Sequence, residues 1–346
     1  MIARFAPALL AACVLASPLA AQQLQGRDGT RYTWSERIAP GQWLRVYGNN
    51  GRIQVTEATG DVAEVVGEKD LRRGRPEDIA FEVRKTSDGV TICAIIADEE
   101  CEDDGVRHRG RWNDDSNGRR VHFTIRLPKG VNIGVGSGNG DVSVSGATAD
   151  VNAGSGNGKV RVTAGGSVRA SSGNGDVTVE RAGGPVRASS GNGRVMVATS
   201  RGPVNASSGN GDVEVTMDAL ADNAEDVELS SGNGRVTITV PADFNAEIDA
   251  STGSGRFETD FPITVRGRID PRHVRATIGR GGRRLTMRSG NGDIELRKRY
   301  PVGPIGISCS LPGSLTRCSS SALLLVTQYS SSLLTTSNAI PGPSPS

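Results

Sequence analysis

Aromatic side chains make up only 4% of this 346-residue chain. A single thick core of that length would be filled by Phe, Trp and Leu, so their scarcity points to a thin interior instead. Histidine is rarer still. His108, His122 and His273 are too few and too scattered for a multi-histidine metal site. The formal net charge is +2, so no global field suggests nucleic acid as a partner. Catalytic signatures are missing as well. There is no Gly-x-Ser-x-Gly elbow. The nearest phosphate-loop candidate, Ala153 to Val160, has Ala for the first Gly and Val160 where Ser or Thr should follow Lys159. No cofactor is therefore expected.

Glycine, by contrast, occurs 46 times, and much of it lies in one recurring string. Ser-Gly-Asn-Gly, then a charged residue and Val, returns at Asn139, Asn157, Asn174, Asn192, Asn210 and Asn233. The steps are 18, 17, 18, 18 and 23 residues. The string fades at Thr252-Gly-Ser254-Gly-Arg256 and reappears whole around Asn291. Such a period marks a repeat architecture whose units bury their apolar faces only against one another. Each unit reads as two short strands, Val-x-Val (Val177/Val179, Val195/Val197) and Val-x-Ala-x-Ser (Val168-Ala170-Ser172, Val186-Ala188-Ser190). Val274-Ala276-Ile278 and Leu285-Met287-Ser289 match the second template. Glycines flanking each Asn are expected to supply positive φ at a sharp corner.

An antiparallel meander and a β-solenoid both fit this pattern, since Asn-Gly between apolar strands also signals hairpins. The residue after Asn-Gly separates them. It runs Asp141, Lys159, Asp176, Arg194, Asp212, Arg235, changing sign at each step. Stacked coils about 4.8 Å apart would make these one column of opposite neighbours, whereas like charges there would be destabilising. The expectation is an all-β, single-stranded β-solenoid, parallel β-helix-like, with coils of about 18 residues and an irregular β N-terminal cap. Stacked asparagines would add a ladder of amide hydrogen bonds.

The same alternation weighs against two chemistries. A calcium β-roll would place an acid at each half-turn, and a cation in the ladder repels Ca²⁺. A glycosidase or lyase needs two carboxylates at a controlled separation. Here Asp141, Asp176 and Asp212 would lie roughly 9–10 Å apart with a cation between each pair.

Residues 1–21 read as an export signal: Arg4, an apolar segment from Phe5 to Leu15, and Leu19-Ala-Ala21 before Gln22. Leu10-Ala-Ala-Cys13 also has a lipobox form, so anchoring through Cys13 is the competing reading. Residues 22–130 form the β-rich cap and first coils, with Asn49-Asn50-Gly51-Arg52 a divergent first corner. In an exported chain, Cys93 and Cys101 read as a disulfide. The acids around them, Asp98 to Asp104, lack the alternating spacing of a calcium loop. Residues 131–300 are the repeat block. Its end is arginine-rich, and Arg280, Arg283 and Arg284 are a candidate face for anionic glycan or lipid head groups. Residues 301–346 carry one charge, Arg317, and read as a low-complexity, disordered tail with Cys309 and Cys318 able to pair. Leu323 to Val326 is too short to span a membrane, so no transmembrane helix is expected in the mature chain.

The chain resembles the bacterial "putative adhesin" family, an exported domain of unknown function. The residues that carry the resemblance are Val121-His-Phe-Thr-Ile-Arg-Leu-Pro-Lys-Gly-Val131 leading into the first full motif, the repeats themselves, and Ile278-Gly-Arg-Gly-Gly282 before Gly292-Asp-Ile-Glu-Leu296. It covers about Gln42 to Lys298. It implies a surface-presenting solenoid and supplies no catalytic residues. Partners on this reading are envelope or surface components. A carbohydrate-active enzyme and an envelope-stress accessory binding an anionic ligand are the alternatives.

Overall fold

Strands with Val at every second position bury one face and wet the other. In the computed structural model, which describes residues 23–96, 99–108, 118–199, 202–218, 226–265, 270 and 272–299, such strands form two long sheets of 14 and 12 strands. Each coil gives one strand to each sheet. The strand entering the corner, such as Val168–Ser172, joins the larger sheet, and the strand leaving it, such as Val177–Arg181, joins the smaller. Neighbouring coils pair in parallel with Val opposite Val: Val151, Val168, Val186 and Val204 in one sheet, Val160, Val177 and Val195 in the other. A meander would need antiparallel neighbours. The fold is a β-solenoid.

The interior follows from composition. Between Val142 and Val215 the buried apolar residues are only Val and Ala, while the largest fully buried side chains lie at or before Ile133 and from Met217 onward. Each buried Val contributes on the order of 1.5–3 kcal/mol, so stability here accumulates coil by coil. Phe81, Phe123 and Tyr32 fill the wider first end, with Phe81 stacked on Tyr32 and edge-on to Phe123.

Strand order departs from chain order at the far end. Val227–Asn233 pairs not with the next segment but with Arg284–Ser289, and Ala246–Thr252 then pairs with the outer side of Arg284–Ser289. The seventh complete motif, around Asn291, is thereby inserted between the sixth and the degenerate copy around Ser254. The smaller sheet repeats the insertion, with Ile294–Arg299 between Val236–Pro241 and Phe257–Thr259. His273–Ile278, which carries Val274-Ala276-Ile278, runs antiparallel to Ala246–Thr252. That segment matches the coil template in side chains but lacks a Ser-Gly-Asn-Gly corner, so it folds back as a lid.

Antiparallel pairings also close the first end: Val62–Leu71 with Arg119–Leu127, and Ile79–Thr86 with Gly89–Ile96. Trp43–Asn50 stacks in register under Asn132–Asn139, which makes the Asn50 segment the first coil. Buried Lys69 fastens this end by donating to the carbonyls of Gly26, Pro76 and Ile79 at 2.6, 2.7 and 2.9 Å. Desolvation pulls its ammonium pKa down, against the pull of Glu77 and Asp28. Three of the four outermost strands, Gln23–Gln25, Phe257–Thr259 and Thr264–Val265, have only two or three residues each, leaving little edge for another chain to pair with; the fourth, Arg31–Arg37, has seven.

The corner glycines correct one expectation. In the central coils, Gly173, Gly175, Gly191 and Gly193 are outside the left-handed region. Closeness is what demands them. A Cβ on Gly173 would sit 2.5 Å from the Gly156 carbonyl oxygen, and one on Gly175 would sit 2.2 Å from that of Gly158. Export segment, Cys13, the tail, Cys309 and Cys318 lie outside the described residues.

Gly175→Ala is expected to destabilise by about 2–3 kcal/mol through this overpacking. At Gly60 a Cβ meets nothing within 4 Å, so Gly60→Ala should stay within about 0.5 kcal/mol of the parent. Denaturant melts of the two variants give the comparison, and equal losses would remove the stacking explanation.

Candidate functional site

Along one edge of the solenoid each position of the motif meets its counterpart in the next coil. The buried Ser hydroxyl donates to the carbonyl of the second Gly one coil back: Ser155 to Gly140, Ser172 to Gly158, Ser190 to Gly175 and Ser208 to Gly193, at 2.7–2.8 Å. The Asn side chains form an unbroken ladder. Each Nδ2 donates to the Oδ1 before it, in the order Asn50, Asn139, Asn157, Asn174, Asn192, Asn210, Asn233, Asn291, with all seven bonds at 2.7–2.8 Å. Ser254 closes it by donating to Asn291 Oδ1 at 3.1 Å. Every bond points the same way, so the amide dipoles add along the axis.

The charged column stands beside this ladder. Backbone bonds place its members in the spatial order Arg52, Asp141, Lys159, Asp176, Arg194, Asp212, Arg235, Asp293, Arg256. Sign alternates at every one of these rungs, including where the inserted coil puts Asp293 between Arg235 and Arg256. The acids have two tasks. Each accepts the backbone N–H of the cation that follows: Lys159 on Asp141 at 2.8 Å, Arg194 on Asp176 at 3.1 Å, Arg235 on Asp212 at 2.9 Å and Arg256 on Asp293 at 3.0 Å. Cations of the preceding coil also reach two of them, Lys159 to Asp176 at 3.4 Å and Arg194 to Asp212 at 4.0 Å. Arg235 turns instead to Glu295 at 3.2 Å. A cation could not accept an N–H, so each of these cations needs an acid on the coil before it. The ion pairs are exposed and worth only about 0–1 kcal/mol each.

The larger sheet's outward face holds a second feature that the sequence reading did not find. Hairpin strands Glu99–Glu102 and Gly105–His108 lie over it, joined to it by the Cys93–Cys101 disulfide (Cα–Cα 5.7 Å). Beneath them Tyr47, Ala80, Cys93, Ile95 and Cys101 form a small separate core. The acidic run serves as anchors here. Glu99 accepts from Ile96 N–H and from Asn49 Nδ2, both at 2.8 Å, while Glu102 pairs with Arg107 at 3.0 Å and Asp103 with Arg84 at 3.7 Å. Asp98, Arg109 and Arg111 lie outside the described residues.

Glu82 is buried under this hairpin, and its Oε1 has no hydrogen-bond partner among the described residues. Desolvation raises its carboxyl pKa, only partly offset by Arg84 and by the Cys101 N–H. Between the hairpin and the sheet runs a groove of about 790 Å³, with Tyr47, Asp104 and Val106 on one side and Gly136, Asn152 and Ser171 on the other. The Tyr47 ring lies against Gly136, where a Cβ would come within 2.8 Å of it. Burial pushes the Tyr47 hydroxyl pKa up, Arg45 opposes, and Asp104 and Asp103 add to the rise.

The three arginines of the expected anion-binding face lie at the start of Arg284–Ser289 and in the turn before it. Arg284 lines a groove of about 560 Å³ with Arg275, Arg288, Glu247 and Asp249. Arg280 and Arg283 belong to the turn before it, where Arg280 N–H is held by Asn245 Oδ1 at 2.9 Å. Acids interleave with these cations: Arg275 lies 3.6 Å from Asp249 and Arg288 lies 3.8 Å from Glu228. Among the described residues no helix is long and apolar enough to cross a membrane.

A family model described as Toastrack DUF4097 matches residues 97–297. Among solved structures, a "putative adhesin" from Bacteroides fragilis NCTC 9343 is 15% identical with a TM-score of 0.41, covering 78% of this chain and 98% of its own. A "putative adhesin" from Parabacteroides distasonis ATCC 8503 is 9% identical with a TM-score of 0.31 over 78% and 98%. A "putative cell adhesion protein" from Clostridium sporogenes ATCC 15579 is 10% identical with a TM-score of 0.28 over 78% and 100%. No curated protein matches the chain.

The column can be tested by separating its two bonds. Asp176→Asn keeps an acceptor for the Arg194 N–H, and Asp176→Ala should cost about 1 kcal/mol more. Arg194→Asp sets three acids in sequence, and should cost about 0.5–1 kcal/mol more than Arg181→Asp at an exposed site outside the column. Thermal melts decide both comparisons. For Glu82 the sign is set by its raised folded-state pKa. Its contribution is complete below the unfolded value and is lost as pH rises through the folded one. Glu82→Gln should therefore melt higher than the parent at pH 7, the gap closing towards pH 4, and a gap independent of pH would remove this account.

Proposed function

We propose that this chain, which belongs to the Toastrack DUF4097 family, is an exported, non-enzymatic β-solenoid that presents a repetitive surface for adhesion or cell-envelope interaction. The observation that carries this reading is the corner edge. Its hydroxyls, amides and carboxylates are the most regular polar groups in the molecule, and they bond to the neighbouring coil. A motif of that kind specifies architecture. Recognition is left to the outward faces of the sheets, whose side chains differ from coil to coil.

Export is supported by the residue 1–21 signal pattern and by a disulfide, which persists in oxidising compartments. A carbohydrate-active enzyme on the same scaffold would need a carboxylate pair at about 5–10 Å with one acid held protonated. Asp141, Asp176 and Asp212 are instead each interleaved with cations and each occupied by a backbone N–H.

Cell fractionation is expected to place the mature chain outside the cytoplasm. Incubation with neutral and acidic polysaccharides is expected to release no reducing or unsaturated ends. Retention in the cytoplasm, or release that disappears in Asp176→Asn, would overturn the proposal.

A further inference from the structure

On the larger sheet's outward face, one row of side chains runs Arg45, Gly134, Asn152, Arg169, Arg187, Asn205, Glu228, Thr286, Asp249, Arg275 across successive strands. Most of its charges are neutralised where they stand. Arg45 binds Asp88 at 2.7 Å, Arg275 lies 3.6 Å from Asp249, and Glu228 lies 3.8 Å from Arg288. The exception is at the centre. Arg169 and Arg187 are directly opposite each other on adjacent strands, both exposed, and neither has an ion-pair partner among the described residues. Like charges so placed are destabilising, in a chain whose corner column alternates sign at every rung. Amides and hydroxyls surround them: Asn152 and Asn205 on the flanking strands, Ser171 and Ser189 two residues on. The 790 Å³ groove under the hairpin ends on Asn152 and Ser171, so it opens beside Arg169.

We infer that this face carries a binding site for an acidic polysaccharide, with Arg169 and Arg187 holding a carboxylate of the chain and the neighbouring amides and hydroxyls meeting its sugar oxygens. The inference rests on the surface-presenting reading above and names its ligand class. The guanidinium fork suits a planar carboxylate, and opposite charge placed between two neighbouring arginines turns a destabilising contact into a favourable one. A bilayer fits less well. The acidic hairpin at one end of the face would be pressed against anionic head groups, and at the other end the acids already neutralise the arginines beside them, whereas a slender polymer can lie between the two.

Affinity electrophoresis of the full chain through gels containing polygalacturonate or neutral dextran, with co-sedimentation on phosphatidylglycerol vesicles, tests this. Retardation is expected by polygalacturonate alone, and should fade as salt rises. Arg169→Gln with Arg187→Gln should weaken it by about tenfold or more, while Arg161→Gln on the other sheet leaves it unchanged. Arg187→Glu should abolish binding yet raise the melting temperature by about 1–2 °C, since it replaces a like pair by an opposite one. Absence of retardation, equal weakening by Arg161→Gln, vesicle binding without polysaccharide binding, or a lowered melting point in Arg187→Glu would each overturn the site. Retardation that survives the double substitution would leave the surface-presenting reading standing without it, and release of sugar ends would sink that reading instead.

Discussion

Coils of a parallel solenoid are held at the spacing of a backbone hydrogen bond, about 4.8 Å, and that distance governs the corner. Two glycines are required because a methyl group on either would run into the carbonyl one coil away. A hydroxyl, Ser in the full motifs and Thr252 in the degenerate one, is required because the turn leaves the second glycine's carbonyl facing inward, and a buried acceptor needs a donor. Asparagine gives from one atom and accepts at another, so each side chain can bond the coils on both sides of it. The five-residue motif is thus a solution to one spacing problem, repeated as often as the problem recurs.

Much of this was legible in the sequence, because a period exposes what single residues hide. The sign change from Asp141 through Arg235 implied lateral stacking, and the asparagine spacing implied a ladder. Two things are not legible there. Composition does not distinguish a bend from a clash, so corner glycines that suggest positive φ are in the central coils needed for close approach. Val274-Ala276-Ile278 alternates like a coil strand, but direction is set by the corner it lacks, and it runs antiparallel. The inserted coil left a trace that charge could have revealed. In chain order Arg235, Arg256, Asp293 breaks the alternation, and only placing Asp293 between the two arginines restores it.

The hairpin and its groove were not legible for a different reason. They arise where Cys93 and Cys101 tie a short excursion over a sheet face whose other members come from Tyr47, Gly136 and Ser171. No local pattern joins residues so far apart. The corner and the faces consequently divide the labour of the molecule. Regularity sits on the edge, where it fixes coil to coil, and individuality sits on the flat surfaces, where Arg169 and Arg187 stand together.

Alternation along the column also limits how such a chain can lengthen. Duplicating one coil sets two acids or two cations side by side, and a doubled cation also leaves one N–H without the carboxylate that accepts it elsewhere. Duplicating two restores the sequence of signs and acceptors on both sides of the join. Growth or loss of repeats should therefore proceed by even numbers, giving the solenoid a natural unit of about 36 residues that is twice the repeat visible to the eye.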